Sequence, residues 1–97
     1  MFRLGIPLRE EVVAPIAKAT RFGVVKIEKG KIKEVEYFKN LDEILEKIDF
    51  LVVASEQEEV SEPLELGIEV LVTPLSGVGV AEVVEGFLFK ELHRYRG

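Results

Sequence analysis

Between Ile68 and Leu92 the chain runs IEVLVTPLSGVGVAEVVEGFLFKEL, and this order restricts the fold more than any other feature. Its apolar, β-branched opening reads as a strand covered on both faces. A turn containing Pro74, Ser76, Gly77 and Gly79 follows. Val80, Val83, Val84, Phe87, Leu88, Leu92 and Tyr95 then fall at helical spacing, with Glu82, Glu85, Glu91 and Arg94 mostly outside that stripe, which predicts one long amphipathic helix. Strand, turn and helix in this order are the building block of an α/β domain. Gly86 inside the helix costs about 1 kcal/mol relative to Ala, which suggests a close approach to a sheet.

The upstream sequence supplies partners for that unit. Phe2, Leu4, Ile6 and Leu8 alternate with Arg3, Gly5 and Pro7, the period of a strand. Pro7 cannot donate a ladder bond and is expected near the strand's end. Arg9 to Lys18 has no clean period and reads as a loop with at most a short helical turn. Thr20–Ile27 and Lys31–Phe38 are two β-rich runs joined by the short turn Glu28-Lys29-Gly30, which predicts a hairpin with Gly30 at positive φ. Asn40 and Glu43 have the spacing of a capping box, and Leu41, Ile44, Leu45 and Ile48 the spacing of a short helix. Phe50–Ala54 reads as a strand buried on both faces. Ser61 is the expected cap of a second short helix with Pro63 in its first turn and Gly67 just past its end, and Val60, Leu64 and Leu66 are its expected apolar contacts. Helical crossovers between strands imply parallel pairs. The expectation is a single α/β domain over residues 1–97, with a mixed sheet, an antiparallel hairpin edge and helices packed on it.

Composition removes several chemistries. The chain has no cysteine and one histidine, so thiolate metal sites, cysteine nucleophiles and a histidine triad cannot be built within it. His93 lies in the expected last helix, where it reads with Arg94 and Arg96 as favourable charge at the helix end. Net charge is −5. Ile48 to Phe89 contains no Lys or Arg but holds Asp49, Glu56, Glu58, Glu59, Glu62, Glu65, Glu69, Glu82 and Glu85. Nucleic-acid binding needs a concentrated basic surface, so this acidic half argues against it; it reads as a solvated face or a docking face for a basic partner. Asn40 and Gln57 are the only carboxamides beside abundant Glu and Lys, a hyperthermophile pattern. No apolar run approaches the roughly 18 residues of a membrane span, and the first residues lack a signal-peptide core. A cytoplasmic protein is expected.

Order and local sequence together resemble the dinitrogenase iron–molybdenum cofactor biosynthesis family, of the NifX and NifB C-terminal domain type. The matching stretches are Leu4-Gly5-Ile6-Pro7, Phe22 to Glu36, Leu66-Gly67-Ile68-Glu69-Val70 and Val80 to Leu92. The resemblance implies a ribonuclease-H-like fold with a mixed five-stranded sheet. It also implies an accessory protein, some of whose relatives bind iron–sulfur or iron–molybdenum cofactor precursors. The family's Ser-x-His-Phe-Gly-Arg type motif after the first strand is replaced here by Ala14-Pro15-Ile16-Ala17-Lys18-Ala19. Where many members have a Gly-rich turn, this chain has Ala54-Ser55-Glu56-Gln57. The cofactor motif is degenerate, and no metal ligand or bound cofactor is expected.

Three places are candidate sites. Ligands of open α/β sheets bind beyond the carboxyl ends of the strands, and free backbone N–H groups at a helix start favour an anion. Ser55, Ser76, Gly77 and Gly79 are therefore the candidate anion- or ligand-binding residues, within a pocket between the Ala14–Thr20 loop, Ser55 and the Ser76–Gly79 turn. The plainer reading of that turn is a tight strand-to-helix connection capped by Ser76. Glu56, Glu58, Glu59 and Glu62 read as a solvated acidic helix surface, since neither metal-site spacing nor a nucleophile accompanies them. Arg9, Lys18 and Arg21 flank the degenerate loop and read mainly as scattered surface charge, with an anionic ligand or acidic partner as the sharper option. No catalytic set emerges. The expected function is a non-catalytic binding or accessory module taking a small anion or a protein partner. The alternative is an interaction domain that forms a homodimer or docks a partner through its hairpin edge or acidic face. A metal-dependent hydrolase is disfavoured, because the strand cores lack acidic residues pointing to such a site.

Overall fold

The alternation at the N-terminus becomes an inner strand. In the computed structural model, which describes residues 1–73 and 78–96, β1 spans Phe2–Arg9. Leu4, Ile6 and Leu8 enter one core with Val25, Ile27, Val52, Val83 and Val84. Gly5 faces the opposite core, where an added Cβ would lie 2.8 Å from Ile48 Cδ1 and 2.9 Å from Ile44 Cδ1. That contact is shorter than real side chains tolerate, so glycine here lets the covering segment lie directly on the strand.

The remaining strands are β2 (Val12–Val13), β3 (Arg21–Glu28), β4 (Lys31–Phe38), β5 (Phe50–Val53), β6 (Glu69–Val72) and β7 (His93–Arg94). The order across the sheet is β4-β3-β1-β5-β6-β7, with β2 paired to β1. β1–β5 and β5–β6 are parallel, while β1–β3, β3–β4, β1–β2 and β6–β7 are antiparallel. The predicted hairpin is present, with Lys29 at φ 55° and Gly30 at φ 75°, as a type I′ two-residue turn requires. The expected five strands are joined by two more, β2 and β7, of two residues each. Pro7 lies near the end of β1, two residues before Arg9, as expected. It is tolerated because β5 reaches only Leu4 and Gly5.

Both faces of the sheet are covered. Helix α2 (Val80–Leu88) lies on the side of Leu4, Ile6 and Leu8. Ile44, Leu45, Ile48, Val60 and Ile68 cover the other side, against Val24, Leu51, Val53 and Val70. The helix expected over Leu41–Ile48 is reduced to a 3-10 turn at Leu41–Glu43, followed by a further i→i−3 bond from Lys47 N–H to Ile44 O at 2.8 Å. Asn40 N–H does donate to the Glu43 carboxylate, at 2.9 Å. Helix α1 (Ser61–Glu65) starts one residue earlier than expected: Val60 is its N-cap and Ser61 lies in its first turn. Leu64 and Leu66 are exposed, not core contacts, and Val60 alone of that set is buried.

Both helices end in the same hydrogen-bond pattern. After α1, Ile68 N–H donates to Pro63 O and Gly67 N–H to Leu64 O, each at 3.1 Å, with Gly67 at φ 82°. After α2, Glu91 N–H donates to Gly86 O at 2.7 Å and Lys90 N–H to Phe87 O at 3.2 Å, with Lys90 at φ 59°. These are Schellman caps. The second ends the last helix earlier than its apolar stripe predicts. Leu92 and Tyr95 therefore reach the cores from a returning segment, and Gly86 makes room for Leu92, not for the sheet. No helix among the described residues is long and apolar enough to cross a membrane.

Candidate functional site

Because β1, β5 and β6 are parallel, the segments that leave them emerge at one edge of the sheet. β2 and the 3-10 turn Ile16–Lys18 follow β1, the loop 54–60 follows β5, and α2 follows β6. The first segment is held to the sheet by Ala14 N–H to Pro7 O at 3.0 Å and Thr20 N–H to Leu8 O at 2.9 Å. Val13 N–H donates to Val78 O at 2.8 Å, and Val12 bridges Gly79. The chain approaching α2 is thereby tied to β2.

Glu58 sits where the first two segments meet. One carboxylate oxygen accepts the Ile16 N–H at 2.6 Å. The other accepts the N–H groups of Ala54 at 2.7 Å and Ser55 at 3.1 Å. Hydrogen bonds to a charged acceptor are shorter and roughly twice as strong as neutral ones. A convergence of backbone N–H groups from two loops is an anion-binding concavity, and here the anion is the chain's own side chain. Glu58 also accepts the Tyr95 hydroxyl on its backbone carbonyl at 2.8 Å, and the neighbouring Glu56 carboxylate accepts Arg96 N–H at 3.0 Å. The C-terminal segment thus holds down the loop that carries Glu58.

The acidic residues of this loop are not a helix surface, which corrects the sequence expectation. Glu56, Glu58 and Glu59 precede α1, and each carboxylate accepts a backbone N–H. Only Glu62 lies on the helix. Glu59 accepts both the N–H and the hydroxyl of Ser61. The hydroxyl bond, then the backbone bond, hold its carboxyl below the ordinary value of 4.5. Sequence reasoning names Glu58 within the acidic run but misses its role, because its partner Ile16 lies 42 residues away; nothing local marks it.

Of the predicted ligand residues, Ser55 borders Glu58, and its hydroxyl oxygen accepts Gln57 N–H at 3.1 Å. Gly79 is the N-cap of α2, the role expected of Ser76. Its N–H donates to the Glu82 carboxylate at 3.0 Å. Ser76 and Gly77 lie outside the described residues. Both described donors of the proposed cradle are therefore met by glutamates of the chain itself. Arg21 is engaged by Glu11 and lies 3.9 Å over the Tyr37 ring, while Arg9 and Lys18 are exposed. His93 is not at a helix end: β7 pairs it with Val72, which returns it to the carboxyl edge.

One cleft borders these loops and a second lies away from them. One of about 480 Å³ runs along Glu56–Ser61 and reaches Tyr95. A larger one of about 580 Å³ opens at the opposite edge of the sheet, at the amino ends of β5 and β6, beside Glu46, Asp49 and Glu69. An iron–sulfur group held by thiolates does not fit this donor set. The chain has no cysteine, and the groups converging at the carboxyl edge are backbone N–H groups already bonded to carboxylates. Among the described residues no cluster of three His, Asp or Glu side chains is arranged to hold a metal ion.

No family model and no curated protein matches this sequence. Several solved structures share its fold. A candidate dinitrogenase from Methanocaldococcus jannaschii aligns at 15% identity over 99% of this chain and 96% of its own, with a TM-score of 0.79. The solution structure of that protein gives a TM-score of 0.77 at 13% identity, covering 99% of this chain and 94% of the other. A Thermotoga protein named as a candidate NifB protein of the DUF35 family aligns at 21% identity over 97% of this chain and 93% of its own, with a TM-score of 0.73.

Proposed function

We propose that this chain is a non-catalytic accessory or binding module of the kind found in nitrogenase iron–molybdenum cofactor biosynthesis, on a ribonuclease-H-like sheet, without the cluster-binding site of its relatives. The observation that carries this reading is the alignment, along nearly the full length of both chains, with proteins named as a dinitrogenase and as a NifB protein. The convergence of loops at the carboxyl edge supports binding there, and the lack of cysteine supports the loss of a thiolate-held cluster. Fold likeness alone does not transfer an activity, so the ligand has to be found on the protein. Anaerobic native purification, with metal analysis and mass spectrometry of bound material, is the test. A small anion or a co-purifying protein supports the reading; stoichiometric iron or molybdenum overturns the loss of the cluster site.

A second reading is favoured by one observation. β4 is a terminal strand with an exposed pattern, and Ile32 and Tyr37 on it are 42% and 46% exposed. An open strand edge invites another strand, which fits an interaction domain that pairs with a second copy or with a partner. Solution mass across a concentration series separates the two readings.

A further inference from the structure

We propose that the N–H groups of Ile16, Ala54 and Ser55 form an oxyanion-binding nest, and that Glu58 is a tethered competitor which fills it until an external carboxylate or phosphate takes its place. This inference rests on the reading of the carboxyl edge as a binding site, and it names the ligand chemistry and the control of that site.

Two of the three donors, those of Ile16 and Ala54, are fixed independently of Glu58. Ala54 directly follows Val53, which is fully buried and paired with Val72. Ile16 follows Pro15, and the turn is closed by Lys18 N–H to Pro15 O at 2.9 Å. Just before it, Ala14 is buried and bonded to Pro7 O. Removing the carboxylate leaves these N–H groups in place and without their acceptor. Such donors retain a strong demand for one, because leaving a polar group unmet costs about 1–3 kcal/mol where water is excluded.

The competitor is held more lightly than the nest. Residues 56–59 contribute no buried side chain. They border the cleft of about 480 Å³, so the loop can leave without displacing the core. Its outer anchors are single hydrogen bonds from Tyr95 and Arg96. The bonding pattern also defines what would fit. One oxygen takes one N–H and the second takes two, a demand met by any two-oxygen face of a carboxylate or phosphate. A tethered carboxylate competes at a high effective concentration, on the order of millimolar or above, so the intact chain binds free anions only weakly.

The experiment is an amide-resolved NMR titration of the full chain and of Glu58→Ala with inorganic phosphate and, separately, with acetate. The expected result is saturable shifts at Ile16, Ala54 and Ser55 in Glu58→Ala, with affinity roughly tenfold or more above that of the parent chain. Preference for phosphate or acetate assigns the ligand source. Equal affinity in both chains, or no saturable shift at those amides in the folded variant, overturns the proposal. Glu58→Gln, which keeps the side chain but removes its charge, serves if Glu58→Ala does not fold. It must show the same gain at the same amides, and its failure to do so overturns the proposal equally. The outcome separates from the functional reading. A variant that gains the anion, beside a native preparation carrying neither ligand nor partner, leaves the nest standing and the binding-module reading fallen. The reverse result removes the nest alone.

Discussion

The carboxyl edge of the sheet and the outer edge of β4 both present backbone hydrogen-bonding groups, but among the described residues only the first set is met by the chain itself. At the carboxyl edge Glu58 takes the N–H groups of Ile16, Ala54 and Ser55, and Glu82 takes that of Gly79. At the hairpin edge, β4 is the last strand in the order, and its outward groups face no strand among the described residues. The contrast assigns different roles to the two regions. A self-filled set of donors marks a place where an anion is favoured and access is controlled. An open strand edge marks a place where another strand can take over bonds otherwise made to water.

The strongest way to test whether the two regions belong to one cooperative unit is Leu8→Ala. Leu8 is fully buried and lies on β1, between the hairpin and the strands that lead to the carboxyl edge. Loss of about 2–5 kcal/mol is expected, read as a lower denaturation midpoint with both regions losing hydrogen-exchange protection together. Persistence of the hairpin alone would divide the molecule. Tyr95→Phe is more selective. Removing the hydroxyl bond to Glu58 O costs about 0.5–1.5 kcal/mol and should raise amide exchange at residues 54–58 while leaving β3–β4 unchanged.

Lys90→Gly works in the opposite direction. A left-handed non-glycine residue carries a steric cost, so the replacement should stabilise by about 0.5–1 kcal/mol, seen as a higher midpoint and a firmer β7. Gly67 already satisfies the equivalent position after α1.

The smallest effect compares one carboxylate from each region. Glu28, on the hairpin, is held below its ordinary value of 4.5 by the hydrogen bond from Lys33, then by the charge of Lys33. Glu59, near the carboxyl edge, is lowered by Ser61. A depressed carboxyl adds stability that is present above the unfolded value and lost as pH falls through the folded value. Both contributions therefore belong to neutral and mildly acidic solution and vanish in acid. Salt should weaken the shift of Glu28, which rests partly on an exposed charge, and leave that of Glu59. Ser61→Ala should do the reverse. Carboxyl-carbon NMR titration at two salt concentrations distinguishes them.

The hairpin was legible because its signals are local: period two, then Lys29-Gly30 at the turn. Gly67 was legible for the same reason, as the residue type that left-handed backbone favours. Lys90 adopts the same backbone without the residue that announces it, so the apolar stripe through Leu92 and Tyr95 predicts a longer helix than forms and puts His93 at the wrong edge of the sheet. Ile44, Leu45 and Ile48 keep helical spacing in a segment that forms only a 3-10 turn, because their demand is to cover Gly5 and Leu51, not to complete a helix. Glu58 was the least legible. A glutamate in an acidic run carries no local mark of the backbone groups it will meet, and those groups converge only when β1 and β5 pair.

Amide hydrogen exchange of Ile16, Ala54 and Ser55, in the intact chain and in Glu58→Ala, tests the self-filled edge most directly. Protection in the parent chain and its loss in the variant, with the protection of β1 and β3 preserved, is the predicted result. Equal exchange at those three amides in both chains would show that Glu58 does not occupy them, and would contradict the account.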